Sequence, residues 1–192
     1  MTYTYYNRNA QDFFDNTVSI NMSSIYDNFL SLLPEKAHII DAGCGSGRDT
    51  KYFLDHGYSV TSFDASEQLV HLAMDLSNHP IQHSTFLNFS ITPKSQDGIW
   101  ACASLLHVPM KQLKETLFHL AQYLKDDGIF YCSFKYGHNE VKHNGRHFTN
   151  LNETILNDLL VNLPISIKKT WITEDLRANR INEKWLNIIL VK

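Results

Sequence analysis

The residues best suited to chemistry lie in His38–Asp49, HIIDAGCGSGRD. Glycine recurs at every second position, as Gly43, Gly45 and Gly47, between an apolar strand pattern and the start of a helical one. Without a Cβ, glycine permits a tight turn and lets backbone N–H groups approach a ligand. The helix N-terminus that follows favours a negative group such as a carboxylate. A second apolar run closes on Phe63-Asp64. An acidic side chain at that place can accept hydrogen bonds from both ribose hydroxyls of an adenosine. A dinucleotide fingerprint would need its third glycine at position 48, which is Arg48. The dinucleotide pattern therefore fails at one of its three glycines.

Further along the chain, His107 stands in SLLHVP, just beyond a fourth apolar strand pattern. An unperturbed histidine titrates near pH 6.5, so His107 is the best placed candidate base. The segment KYGHNEVKHNGRHFT, residues 135–149, is polar, basic and long for a connection, and long connections are often functional. It reads as a lid in which Lys135, Tyr136, Arg146 and His147 meet an anionic or polar substrate. His143 and His147 would share a metal only on a helix, and Gly145 between them argues against one. No metal site is expected. Trp171 and Trp185 read as packing residues of the last two strands.

These residues need a scaffold, and the hydrophobic periodicity supplies one. Residues 10–33 read as one or two helices, the second capped at Asn21 or Ser23 and stopped by Pro34. Strand patterns follow at 37–41, 58–64, 81–84, 97–103 and 128–134, and helical ones at 48–56, 66–77, 110–124 and 152–163. Asp126-Asp127-Gly128 reads as a turn. Alternating strands and helices mean parallel βαβ units with a sheet covered on both faces. The last two strand patterns, 165–172 and 184–191, have no helix between them and read as an antiparallel addition at the sheet edge.

Composition sets the class. The 192 residues are 43% hydrophobic with a net charge of -3, too apolar for disorder and too acidic for a broadly basic nucleic-acid binder. Cys44, Cys102 and Cys132 form no CxxC pair, so neither a disulfide scaffold nor a four-cysteine zinc site is expected. No signal peptide pattern opens the chain and no apolar run nears the roughly 20 residues of a membrane span. The expectation is a single cytoplasmic domain over residues 1–192, with a helical cap segment at 1–33 and an acceptor-side loop at 135–150.

The segments IIDAGCGSGRD (39–49), VTSFDAS (60–66), DGIWACASLLHV (97–108) and DGIFYCSF (127–134) together resemble the class I S-adenosylmethionine-dependent methyltransferases. The YYxxNA, GCGSGRD and ASLLH segments resemble small bacterial methyltransferases of the tellurite-resistance-like kind. The resemblance implies a Rossmann-like three-layer αβα sandwich. Its seven-stranded, mostly parallel sheet would have order 3-2-1-4-5-7-6, with strand 7 antiparallel. It implies S-adenosyl-L-methionine as cofactor, S-adenosyl-L-homocysteine as product and in-line methyl transfer to a small polar acceptor. By resemblance, Gly43, Cys44, Gly45 and Gly47 hold the methionine and ribose part, and Asp41 lies near the amino group. Asp64 holds the ribose hydroxyls, Ala65 lies against adenine, and Phe86, Leu87 and Asn88 flank the ring. Ala101, Cys102, Ala103, Ser104 and Leu106 line the methionine side, and the entry segment with Tyr6 and Arg8 closes over the cofactor; Arg48 reads either as a cap on the site or as a solvated first-turn residue.

An RNA cytosine-C5 methyltransferase uses two cysteines, which Cys102 and Cys132 superficially match, but Ala101 stands where a proline normally precedes the first. An amino-methylating DNA enzyme would carry Pro-Pro-aromatic after strand four, where this chain has ACAS. A modified tRNA base is a less favoured acceptor, since phosphate neutralisation needs more Lys and Arg than the net charge suggests. A non-catalytic cofactor-binding module and a nicotinamide-dependent dehydrogenase complete the alternatives.

Overall fold

The computed structural model describes residues 2–177, 180 and 183–192. In chain order the helices are α1 (Thr2–Arg8), α2 (Ala10–Thr17), α3 (Ser23–Leu30), α4 (Arg48–Asp55), α5 (Glu67–Ser77), α6 (Met110–Ala121) and α7 (Glu153–Leu160). The strands are β1 (His38–Ala42), β2 (Ser59–Asp64), β3 (Ile81–His83), β4 (Gln96–Ala101), β5 (Leu124–Lys135), β6 (Glu140–His143), β7 (Arg146–Thr149), β8 (Ser166–Glu174) and β9 (Lys184–Val191).

Seven strands form one sheet in the order β3-β2-β1-β4-β5-β9-β8. The first five run parallel, and β9 pairs antiparallel with both β5 and β8. This is the expected Rossmann-like sandwich, with β8 and β9 in the places of the expected sixth and seventh strands. Two additional strands, β6 and β7, form a separate hairpin.

Side-chain alternation along the strands builds two cores, because successive residues point to opposite faces. Ile40, Ile99 and Phe130 pack with Leu113, Leu117 and Leu120 of α6 and Leu156 of α7. Their neighbours Ile39, Trp100 and Tyr131 pack on the other face with Tyr26 and Phe29 of α3 and Phe53 of α4. Trp100 and Tyr131 stack at 4.1 Å. Both are fully buried.

Local signals set several boundaries. The Ser66 side chain accepts from the Leu69 N–H and so caps α5, and Asn152 caps α7 through the Ile155 N–H. Gly57, at φ +83°, ends the chain's run past α4. Other boundaries differ from the sequence reading. The residue before α3 is Met22, and Asn21 instead accepts from the Ser23 N–H. The expected turn at 126–128 lies inside β5. There β4 advances from Gln96 to Gly98 while β5 advances from Leu124 to Ile129, with Asp127 at φ +65°. The extra residues form a bulge that keeps both flanking stretches in the ladder.

Two larger differences concern residues 2–8 and 135–150. Residues 2–8 add a further helix ahead of the one or two expected over 10–33, giving the 1–33 segment three helices. The 135–150 stretch is not a free loop but carries the β6–β7 hairpin. Asn144 (φ +48°) and Gly145 (φ +75°) are its two turn residues, the pair of positive φ values that a two-residue I′ turn requires.

Candidate functional site

The sheet order reverses direction between β1 and β4, and ligands of open α/β sheets bind in the crevice beyond the strand ends at such a point. A cavity of about 680 Å³ opens there. Its floor is the turn after β1. Gly43 and Cys44 both donate their N–H to the Phe63 carbonyl at 2.9 and 3.0 Å, tying the turn to the end of β2. Gly43 has φ +76°, and a Cβ on it would lie 2.7 Å from the Ser104 Cβ. Ser104 follows β4 and donates its hydroxyl to the Ala42 carbonyl at 2.7 Å. The absent side chain thus lets the two switch-point loops touch. Gly47, at φ +78°, serves packing: a Cβ there would meet Ala73 of α5 at 2.7 Å.

At the end of β2, Asp64 is held by two backbone donors. The Gly45 N–H reaches its Oδ2 at 2.9 Å and the Ser66 N–H its Oδ1 at 2.8 Å. Each oxygen keeps a lone pair for a further donor in the cavity, which Asp64 and Ala65 both line. Burial pushes the Asp64 carboxyl above its ordinary pKa, opposed by those N–H groups and by His83. Phe86 and Leu87 continue the wall after β3, and Cys102, Ala103 and Leu106 form it after β4. Ala103 sits at φ +50° and donates its N–H to the Ser133 hydroxyl at 2.8 Å. A left-handed non-glycine residue costs on the order of 1–3 kcal/mol, and such residues cluster at ligand sites.

Beneath the glycine turn lies an ionic cluster. Arg48 reaches both oxygens of Asp49, at 2.6 and 3.0 Å, and the Thr17 carbonyl at 3.2 Å. Asp49 also accepts from the Tyr26 hydroxyl and, at 2.8 Å, from the Trp100 indole. These donors hold the Asp49 carboxyl below the usual carboxylate range. The cluster binds α2 to the glycine turn from below.

The opposite wall comes from α1 and the β6–β7 hairpin. The Tyr6 hydroxyl lies 2.8 Å from His107 Nε2, and His107 Nδ1 lies 2.7 Å from the His147 carbonyl. A carbonyl only accepts, so Nδ1 carries the proton and Nε2 accepts from Tyr6. Burial pushes His107 down to about 4, aided by the charges of Arg146, His147 and Lys135. Burial raises Tyr6, partly offset by Arg146. Thr2 accepts the His147 N–H at 3.1 Å, Asn7 accepts the Ser66 hydroxyl at 2.7 Å, and Thr149 donates to the Val108 carbonyl at 2.7 Å. Helix α1 is therefore strapped across the cavity from α5 to the hairpin.

Of the residues singled out in the sequence, the cavity gathers Tyr6, Gly43, Cys44, Gly45, Arg48, Asp64, Ala65, Phe86 and Leu87. It also gathers Cys102, Ala103, Leu106, His107, Lys135, Arg146 and His147. Five expected wall residues lie elsewhere. Asp41 is buried under the turn, accepting from Thr50 at 2.6 Å, because its β1 position points into the layer between sheet and α4. Gly47 faces Ala73. Ala101 is sealed in the core of the sheet. Asn88 is exposed on the turn beyond Phe86. Tyr136 points outward and donates to Glu153 at 3.0 Å. Trp185 does more than pack strands: it lines the cavity and donates its indole N–H to Asp175 at 3.0 Å.

Ser104, expected on the methionine side, also lines the cavity, whereas Ser133, Asp175, Arg177 and the Thr2 and Asn7 straps carry no signal in the sequence. The Asn144-Gly145 dipeptide was the available signal for the hairpin. The two-cysteine alternative fails on electrostatics. Burial pushes Cys102 up to about 12 and raises Cys132 also, so both stay thiols at neutral pH. Among the described residues, no three of His, Cys, Asp or Glu converge as metal ligands, and no helix is long and apolar enough to cross a membrane.

Residues 39–128 match a protein family described as "Methyltransferase domain". No curated protein matches the chain. Among solved structures, it is similar to the Burkholderia thailandensis 1,6-didemethyltoxoflavin-N1-methyltransferase, with S-adenosylhomocysteine bound. That likeness has TM-score 0.75 and 22% identity over 98% of this chain and 84% of that one. A Methanosarcina mazei SAM-dependent methyltransferase aligns with TM-score 0.74 and 20% identity, over 88% of this chain and 96% of that one. The Synechocystis magnesium protoporphyrin IX methyltransferase with bound SAM aligns with TM-score 0.65 and 19% identity, over 98% and 80%. By strand order and by these likenesses, the chain has the Rossmann-like methyltransferase fold.

Proposed function

We propose that the chain is a methyltransferase that uses S-adenosyl-L-methionine, releases S-adenosyl-L-homocysteine and methylates a small polar acceptor. The observation that carries this reading is Asp64. Its carboxylate is oriented by the Gly45 and Ser66 N–H groups and opens onto the same cavity as the side-chain-free turn at Gly43 and Gly45. The residues present fit the cofactor: Asp64 would take the ribose hydroxyls, Ala65, Phe86 and Leu87 the adenine, and Gly43, Gly45 and Ala103 the methionine part. The family match over 39–128 covers the residues of this half. The kinship with tellurite-resistance-like methyltransferases rests on the YYxxNA, GCGSGRD and ASLLH segments alone.

When bound, the cofactor supplies a methyl group already activated on a sulfonium. The protein's task is then orientation, worth on the order of 7–11 kcal/mol in well-held systems. Tyr6 and His107 face the space left for the acceptor. The acceptor gains positive charge as it is methylated, so its proton becomes easier to remove and a weak base suffices. The Tyr6 hydroxyl receives that proton as its own passes to His107 Nε2. His107 Nδ1–H stays on the His147 carbonyl throughout, which fixes the ring.

Calorimetric titration with S-adenosylhomocysteine tests the reading. Asp64→Ala removes the partner of a buried hydroxyl pair, at a cost of about 1–3 kcal/mol, or roughly 5- to 150-fold in Kd. Unchanged affinity would remove Asp64 from the site.

A further inference from the structure

We infer that the polar end of the small acceptor is an oxyanion carried on a flat frame with apolar faces, and that Arg146 holds the anion. The inference rests on the methyltransferase reading for which end of the cavity receives the acceptor. Arg146 opens strand β7 and lines the cavity. Its guanidinium carbon lies 4.5 Å from the centre of the Tyr5 ring and 5.2 Å from that of Phe148. Two aromatic contacts fix the plane of the fork, which also faces the Tyr6 hydroxyl, and leave its Nε–H unused.

Most neighbouring cations are already paired, and Lys142, which also lines the cavity, is exposed to solvent. Arg177 is paired with Asp175, Lys135 with Glu183, Arg48 with Asp49, and His147 lies 3.1 Å from Glu140. Among the described residues, Arg146 has no carboxylate within 4 Å, and its buried Nε has no hydrogen-bond partner. A buried donor left unmade is costly, and a planar guanidinium matches a carboxylate or phosphate with two parallel bonds. The positive field it leaves is visible on His107, whose proton affinity Arg146 lowers. The aromatic part of this wall is Tyr3, Tyr6, Phe148 and Trp185, beside Thr2, Lys142, Glu174 and Leu176. Ring faces around a buried guanidinium describe a ligand with a flat apolar frame and an anionic end.

The probes are benzoate, phenyl phosphate and the neutral isostere benzamide, titrated into the full chain with and without S-adenosylhomocysteine. At least one anion is expected to bind tenfold or more tightly than benzamide to the wild type. In Arg146→Gln that preference falls below about threefold, and in Arg146→Lys it is partly retained. The S-adenosylhomocysteine Kd should move less than twofold in both variants. The anion that binds more tightly identifies the oxyanion as carboxylate or phosphate. Anions binding no better than benzamide, including no binding of any probe, would overturn the inference, as would a preference that survives Arg146→Gln. Loss of S-adenosylhomocysteine binding in the wild type with the anion preference intact would instead sink the methyltransferase reading and leave the anion site standing.

Discussion

The cavity has two halves built by different means. On the cofactor half, the wall follows directly from strand ends that lie side by side in the sheet. Gly43 and Gly45 follow β1, Asp64 closes β2, and Ala103 and Ser104 follow β4. Each residue is placed by the strand before it and held by a hydrogen bond of about 3 Å to a neighbouring strand end. On the half proposed for the acceptor, α1, the β6–β7 hairpin and β8–β9 meet through side chains from distant parts of the chain. Tyr6 meets His107, and Thr2 meets His147. The first half is rigid because the sheet is rigid. The second is fastened at a few polar points, so its chemistry can change without disturbing the fold.

Variants can break or sharpen this contrast. The largest effect is expected on the cofactor half. Gly47→Ala places a Cβ 2.7 Å from Ala73 in a left-handed backbone. It should cost about 2–4 kcal/mol of stability by urea unfolding. A loss below about 1 kcal/mol would mean that α5 moves freely against the turn, contrary to a rigid half.

On the acceptor half, His107 makes stability depend on pH. Its folded pKa, about 4, lies below its ordinary value of 6.5. Between those values the unfolded chain binds a proton that the folded one refuses, so this contribution is present above pH 6.5 and lost as pH falls toward 4. From about pH 7.5 to about pH 5 the loss amounts to about 2 kcal/mol. The raised carboxyls of Asp41 and Asp64 act in the opposite direction, so the readout is the difference between wild type and His107→Gln. Equal pH slopes in the two proteins would show that His107 titrates normally.

A smaller change is expected from Tyr6→Phe. It removes the hydroxyl that satisfies His107 Nε2, and should cost about 1 kcal/mol of stability while lowering methyl transfer more than cofactor affinity. Equal losses in transfer and in S-adenosylhomocysteine binding would place Tyr6 on the cofactor half instead. Outside both halves, Lys51 and Asp55 form an exposed i,i+4 pair at 2.9 Å. Lys51→Ala should shift stability by no more than about 0.5 kcal/mol, checked in the same urea experiment.

The same contrast governs what the sequence revealed. The sheet and the cofactor half were legible because their signals are local: apolar runs of strand length, the GxGxG turn and an acid at the end of β2. Asp41 was misplaced because strand alternation decides which face a residue points to, and one step along β1 turns the side chain under the turn rather than into it. On the acceptor half, Lys135, Arg146 and His147 were found by their charge, but not the element that carries them. The Asn144-Gly145 turn was readable and was used only to exclude a helix. Pairings such as Tyr6 with His107, or Asp175 with Trp185, depend on the closed fold, and no periodicity announces them.

The account stands most directly on what fills the cofactor half. Calorimetric titration of the full chain with S-adenosylmethionine, S-adenosylhomocysteine and NADH tests it. Micromolar binding of the first two, weakened by Asp64→Ala, with no binding of NADH, is the predicted result. Binding of NADH alone, or of none of the three, would contradict it.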